Sequence, residues 1–220
     1  MEQGRMIYWN TVSEDLRAAL LHLMQAEALK DFRLVGGTAL SLQLGHRISV
    51  DIDLFTDTDY GSVDFEAIEA FLEREFLYLD KGFGTAIGMG KSYLIGSSRD
   101  NTVKLDLYYT DTFITPPLDY EGVRMATLEE IIAMKVDIVQ RGGRKKDFWD
   151  LHELLDTYTV SEMIGLHHKR YPYNHDRDLI YTKFRDFTLA DDDFDPVSLK
   201  GYYWELIKED IQQALENRKQ

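Results

Sequence analysis

Asp51 and Asp53 stand two residues apart in ISVDIDLF, and that spacing is the first sign of chemistry in the chain. Side chains at i and i+2 of a strand share a face. The pair therefore presents two carboxylates side by side, and carboxylate oxygens are the donors that Mg²⁺ takes. Upstream, LVGGTAL places Gly36-Gly37 and Thr38 between an apolar strand and a short helix. Backbone N–H groups at a helix start bind phosphate, glycine permits close approach, and Thr38 adds a hydroxyl donor. Asp106, in VKLDLYY, is the natural third acid, because two-metal phosphoryl and nucleotidyl transfer uses three acidic groups. These residue types point to metal-dependent chemistry on a nucleoside triphosphate.

The candidate cations lie in two places. Arg47, directly after His46, is placed to bind a phosphate or to act as the counter-ion of Asp51 or Asp53. Lys135 interrupts a stripe of Leu128, Ile131, Ile132 and Val139, so it either snorkels to the surface or points into a cleft. Asp147 and Asp150 are three apart and share a helix face. They either hold Lys146 or Lys135 in place or are surface acids. Between residues 135 and 146 the local charge reverses, with Lys135, Arg141, Arg144, Lys145 and Lys146 against Asp137 alone.

The elements that must position these groups can be read from periodicity and punctuation. Ser13 is placed to cap a helix over 13–30, with Leu16, Leu20, Leu23 and Met24 at helical spacing. A strand through 32–35, a helix over 38–44 and an alternating strand over 47–55 follow. Residues 65–76 have helical spacing, and strands are expected near 77–80, 83–88, 92–97 and 101–109. Pro116-Pro117 marks the best boundary, giving units of 1–120 and 121–220. Beyond it the pattern is helical. Thr127-x-x-Glu130 reads as a capping box opening a helix to about Gln140, Gly142-Gly143 stops it, and a second helix begins near Lys146. Further helices are expected over 161–169, 176–183 and 201–217, with an acidic loop at 190–196.

Composition narrows the class. The chain has 220 residues, 44% hydrophobic, which is an ordinary globular content. A net charge of −14 argues against indiscriminate nucleic-acid binding. Cysteine is absent, which excludes disulfides and thiolate metal sites. No apolar run approaches a membrane span, and MEQGRMIYWN lacks the basic flank and apolar core of a signal peptide, so a cytoplasmic location is expected.

With these residues assembled, the pattern of an apolar strand, Gly36-Gly37 and the Asp51-Ile-Asp53 strand resembles the signature of the DNA polymerase β-type nucleotidyltransferase superfamily. GGTALSLQLGHRISVDIDLF is similar to the AbiEii/AbiGii toxin family in particular, and ATLEEIIAMKVDIVQRGGRKKDFWDL resembles that family's second block. The resemblance covers most of the chain and fades after about residue 190. It implies an α+β fold, a mixed sheet flanked by helices and carrying Asp51, Asp53 and Asp106, followed by a C-terminal helical domain that closes over the nucleotide. It also implies Mg²⁺, two ions, with these three acids as metal ligands, and transfer of a nucleoside monophosphate from an NTP to a tRNA or protein hydroxyl. By position Lys135 matches a triphosphate-binding lysine and Asp147 an acid of the helical block. Gly36, Gly37, Thr38, Arg47, Lys146 and Asp150 complete the expected nucleotide-binding set. A cognate antitoxin is the implied protein partner. The alternative reading is a nucleotide-binding or protein-interaction module without turnover.

Overall fold

Ser13 caps the first helix as its place before the apolar stripe predicts. Its hydroxyl accepts the Leu16 N–H at 3.1 Å, and α1 runs Glu14–Met24. This computed structural model describes residues 6–82 and 88–216. α1 is shorter than the expected 13–30, because the chain leaves it at Gln25 and turns through a 3₁₀ segment at Glu27–Leu29. The elements that follow are β1 (Arg33–Leu34), α2 (Gly36–Leu44), β2 (Asp51–Thr56), α3 (Phe65–Glu75), β3 (Tyr78–Asp80), β4 (Gly90–Ser98) and β5 (Asn101–Tyr109). Next come the short strands β6 (Leu118–Tyr120) and β7 (Val123–Met125). The helical part is α4 (Leu128–Gln140), α5 (Lys145–His152), α6 (Val160–Arg170), α7 (Arg177–Lys183), α8 (Thr188–Asp191) and α9 (Trp204–Glu216). The strand expected near 83–88 falls almost wholly outside the described residues.

The strands form one mixed sheet in the order β3-β4-β5-β2-β1-β7-β6. β2 and β5 run parallel at its centre, in a register that pairs Asp51 with Lys104 and Asp53 with Asp106. Alternation puts Ile52, Leu54, Leu105 and Leu107 on the opposite face, where all four are buried. α1 packs on β2, β5 and β7 with Leu16, Leu20 and Leu23 fully covered. The apolar side of the sheet is thus closed by a helix, and the acidic side is left for chemistry.

Three expectations need correction. The acidic strand begins at Asp51, not at residue 47. The segment before it spends its backbone bonds elsewhere, with Ile48 N–H donating to Val197 at 2.9 Å and Ser49 N–H to Thr11 at 2.8 Å. Val50, which an alternating strand over 47–55 would put on the same face as Ile52 and Leu54, is exposed. Second, the sheet does not end at the proline pair. β6 and β7 form a hairpin through Glu121-Gly122, both at positive φ (51° and 79°) as a tight primed turn requires, and β7 joins β1 in parallel. Third, only half of the capping box at Thr127 exists. The Thr127 hydroxyl accepts the Glu130 N–H at 3.4 Å, but the Glu130 carboxylate turns away to the Ile114 and Thr115 N–H groups and to Arg170.

Candidate active site

The three acids are brought to one face by the β2–β5 register. Asp51 and Asp53 alternate along β2, and Asp106 stands directly beside Asp53 across the parallel pair. Burial pushes the Asp53 carboxyl up to about 6, and the neighbouring Asp106 and Asp51 add to the rise against the opposing pull of Lys135 and Lys146. Asp106 accepts an ion pair from Lys104 through Oδ2 at 2.5 Å. Its other oxygen, Oδ1, is buried with no hydrogen-bond partner among the described residues. A carboxylate pushed toward protonation and a buried, orphaned carboxylate oxygen are both relieved by a hard divalent cation, so the donor set fits Mg²⁺ in kind. Among the described residues no group of three or more acidic or histidine side chains is drawn together closely enough to hold a metal ion.

The glycine turn lies against this strand. Gly36 has φ +68°, a left-handed conformation that favours glycine, and a Cβ there would come within 2.7 Å of Asp53 Oδ2. At Gly37 a Cβ would run into the Arg47 guanidinium. No side chain caps the first turn of α2, so its N–H groups are open to an anion. Thr38 does not share that task as expected. It is buried, its hydroxyl donates to the Asp51 carbonyl at 2.5 Å, and it shares a 2.8 Å bond with the Ser49 hydroxyl. Thr38 fixes the backbone of the acidic strand.

Behind Gly37 lies a buried ionic network. Arg47 grips Asp150 bidentately, Nε to Oδ1 at 2.7 Å and Nη2 to Oδ2 at 2.8 Å. His46 Nε2 is 2.8 Å from the same carboxylate. Lys135 bridges Asp147 at 2.6 Å and Asp150 at 2.7 Å. Burial alone would raise the Asp150 carboxyl, but Lys135, Arg47 and His46 together hold it well below the usual range. Asp147 also accepts the Arg144 N–H at 3.1 Å, closing the start of α5. Of the two sequence readings of this pair, anchoring is the one the geometry favours. The anchored cations are Lys135 and Arg47, not Lys146.

A cleft of about 170 Å³ opens between β2, the start of α2, and α4–α5. Gly36, Gly37, Arg47, Asp51, Asp53, Lys135 and Lys146 line it, with Phe55, Ile131 and Met134 on its apolar side. Asp106, Thr38, Asp147 and Asp150 are not on its wall. Lys146 is half-buried and makes no ion pair among the described residues. Burial and the neighbouring Arg144 and Lys135 push its ammonium down, with Asp51 opposing. A second hollow of about 240 Å³ shares Arg47, Ser49, Asp51, Arg144 and Lys146 and continues to Asp193–Pro196. Lys104, Ser49 and Arg144 were not singled out by sequence as site residues. Only the i, i+2 spacing of Lys104 from Asp106 could have signalled the first of these.

Residues 18–217 match the family described as nucleotidyl transferase AbiEii toxin, type IV TA system. The chain is 26% identical over 219 residues to an uncharacterized protein of Aquifex aeolicus, covering 94% of this chain and 98% of that one. Among solved structures it is similar to JHP933 from Helicobacter pylori, with TM-score 0.57 and 19% identity over 92% of this chain and 88% of that chain. It is also similar to MenT4, a nucleotidyltransferase toxin from Mycobacterium tuberculosis, with TM-score 0.57 and 16% identity over 91% and 81% of the two chains. At these identities the likeness to solved structures is one of fold: a mixed sheet flanked by helices.

Proposed function

The chain belongs to the AbiEii family of nucleotidyltransferase toxins, and on that premise we propose that it transfers a nucleoside monophosphate from an NTP to an acceptor hydroxyl, with pyrophosphate leaving. The observation that carries this reading is the β2–β5 register, which sets Asp51, Asp53 and Asp106 on one face beside the uncapped start of α2. Asp51, Asp53 and Asp106 would hold Mg²⁺. When bound, the metal, two ions in this reading, neutralises the triphosphate and lowers the pKa of the attacking group.

The remaining residues bind and orient. The first-turn N–H groups at Gly36 and Gly37 receive the β- and γ-phosphates, where glycine lets the phosphate approach the backbone. Arg47 and Lys135 present positive charge to the cleft from a rigid setting, because Asp150 and Asp147 fix both side chains. Lys146, free of such an anchor, reaches the triphosphate as a mobile ammonium. Asp106 accepts the proton of the attacking hydroxyl. Thr38 and Ser49 act at one remove, by holding the Asp51 carbonyl. The strand-bearing part, 1–120, carries the acids, and the helical part, 121–220, closes over the nucleotide, with the β6–β7 hairpin at their junction. The base and sugar extend into the adjoining hollow toward Asp193–Pro196.

The acceptor is a tRNA or a protein hydroxyl, activity is restrained by a cognate antitoxin, and the enzyme works in the cytoplasm. No helix among the described residues is long and apolar enough to cross a membrane. Incubation with each α-labelled NTP, Mg²⁺ and total tRNA or cell extract tests the reading. Label should appear on a macromolecule as pyrophosphate is released. Free nucleoside monophosphate as the sole product would indicate hydrolysis, and NTP binding without any product would indicate a module without turnover.

A further inference from the structure

The charge balance around the three acids is uneven. Arg47 and Lys135 face the cleft, but Asp147 and Asp150 already neutralise them. The charge of Asp51, Asp53 and Asp106 therefore falls to the remaining cations, Lys146, Lys104 and Arg144, the last of which is drawn to Asp147 at 3.6 Å. Lys104 is the best placed. It is the cross-strand partner of Asp51 on the parallel pair, and two residues before Asp106 on the same face of β5. Its ammonium sits 2.5 Å from Asp106 Oδ2, within the field of all three carboxylates.

Its setting differs from that of the buried cations. The Lys104 side chain is 47% exposed and Lys135 is 5% exposed. A half-exposed lysine on a flexible stem can swing into water at small cost, whereas a lysine locked between two buried acids cannot. The ion pair also uses only one oxygen of Asp106, leaving the buried Oδ1 with no partner among the described residues.

We propose that Lys104 is a displaceable internal counter-ion, which holds Asp106 Oδ2 in the resting protein, beside Asp51 and Asp53, and yields that oxygen to an arriving divalent ion. The inference rests on the divalent-ion site of the proposed function. Lys104 then sets how tightly that site takes its metal, and offsets the charge of Asp106 when no substrate is present. No covalent step is involved: one cation exchanges for another, and the lysine moves to solvent with its proton.

The test is direct binding of Mn²⁺ to the full chain without nucleotide, followed by titration calorimetry or by the paramagnetic resonance signal of free Mn²⁺. Lys104→Met keeps the length of the side chain and removes its charge. It should bind Mn²⁺ about tenfold more tightly than the unaltered protein, as loss of a unit charge a few ångströms from the ion predicts. Lys104→Gln, a polar variant that retains hydrogen bonding and guards against misfolding of the first, should show the same gain. Lys104→Arg should not. Equal or weaker Mn²⁺ binding by both neutral variants would overturn the inference and leave the metal site standing. No binding by any of the proteins at millimolar Mn²⁺ would overturn the metal site and the inference together.

Discussion

Asp53 sits where opposing demands meet. It must be ionised to hold a cation, yet burial, Asp106 and Asp51 push its carboxyl up to about 6. An acid whose pKa is higher folded than unfolded binds more protons in the native state, so the metal-free protein loses stability as pH rises from about 4 to about 6. Asp53→Asn removes that cost. In EDTA at pH 7 it should unfold at higher urea than the unaltered protein, by on the order of 2 kcal/mol, and the gain should vanish below pH 4. An unchanged midpoint at pH 7 would mean that neither burial nor the neighbouring acids disfavour the charged carboxylate in the native state. Asp150 has the opposite sign: Lys135 and Arg47 hold its carboxyl low against burial, so its stabilisation is present above the ordinary aspartate range and is lost as acid protonates it. Asp150→Ala leaves Arg47 without its bidentate partner in a buried site. We expect about 3–5 kcal/mol of destabilisation by urea unfolding, and a loss below 1 kcal/mol would show that the network contributes little.

Among the elements, the turn from β1 into α2 carries the tightest constraint. Gly36→Ala would strain a left-handed residue and press a methyl against Asp53, so it should cost about 1 kcal/mol or more in stability and displace the acid. A loss of nucleotide transfer of about a hundredfold would accompany an error of 1 Å there, and stability and activity close to those of the unaltered protein would contradict the close approach. This turn was legible in the sequence because its signals are local: Gly36-Gly37, an apolar strand before them, and two acids at strand spacing. Other features were not local. The anchoring role of Asp147 and Asp150 depends on depth, and i, i+3 spacing reports a shared face without saying whether that face is buried. The i, i+2 spacing of Lys104 from Asp106 lies in the sequence, but its place opposite Asp51 comes from the β2–β5 register, which no window of sequence contains. The β6–β7 hairpin was missed because two strands of three residues give too little alternation, and its Glu-Gly turn is a weak signal beside Pro116-Pro117. Thr38 misled for a related reason: a hydroxyl at a helix start can serve a ligand or the neighbouring strand, and only the packing decides.

At the scale of the whole molecule, the strand-bearing and helical parts share one apolar cluster that runs from Leu20 and Leu54 to Ile132, Phe148 and Ile211. A buried ionic latch reinforces the junction. Arg170 donates to Glu130 at 2.6 Å, to the Thr110 hydroxyl at 2.9 Å and to the Asp111 and Thr112 carbonyls. The loop leaving β5 is thereby tied to α4 and α6. Calorimetry should accordingly show a single cooperative transition, and Arg170→Met, which leaves Glu130 buried without its partner, should lower stability by roughly 3–5 kcal/mol. Two separate transitions would contradict a shared core. The central claim, that the three acids on this sheet perform nucleotidyl transfer, is tested most directly by pyrophosphate release from NTP and Mg²⁺ in the presence of acceptor. The unaltered protein should release it with label on the acceptor, while Asp53→Asn, folded by circular dichroism, should release none above background. Equal release by the two proteins would contradict the account.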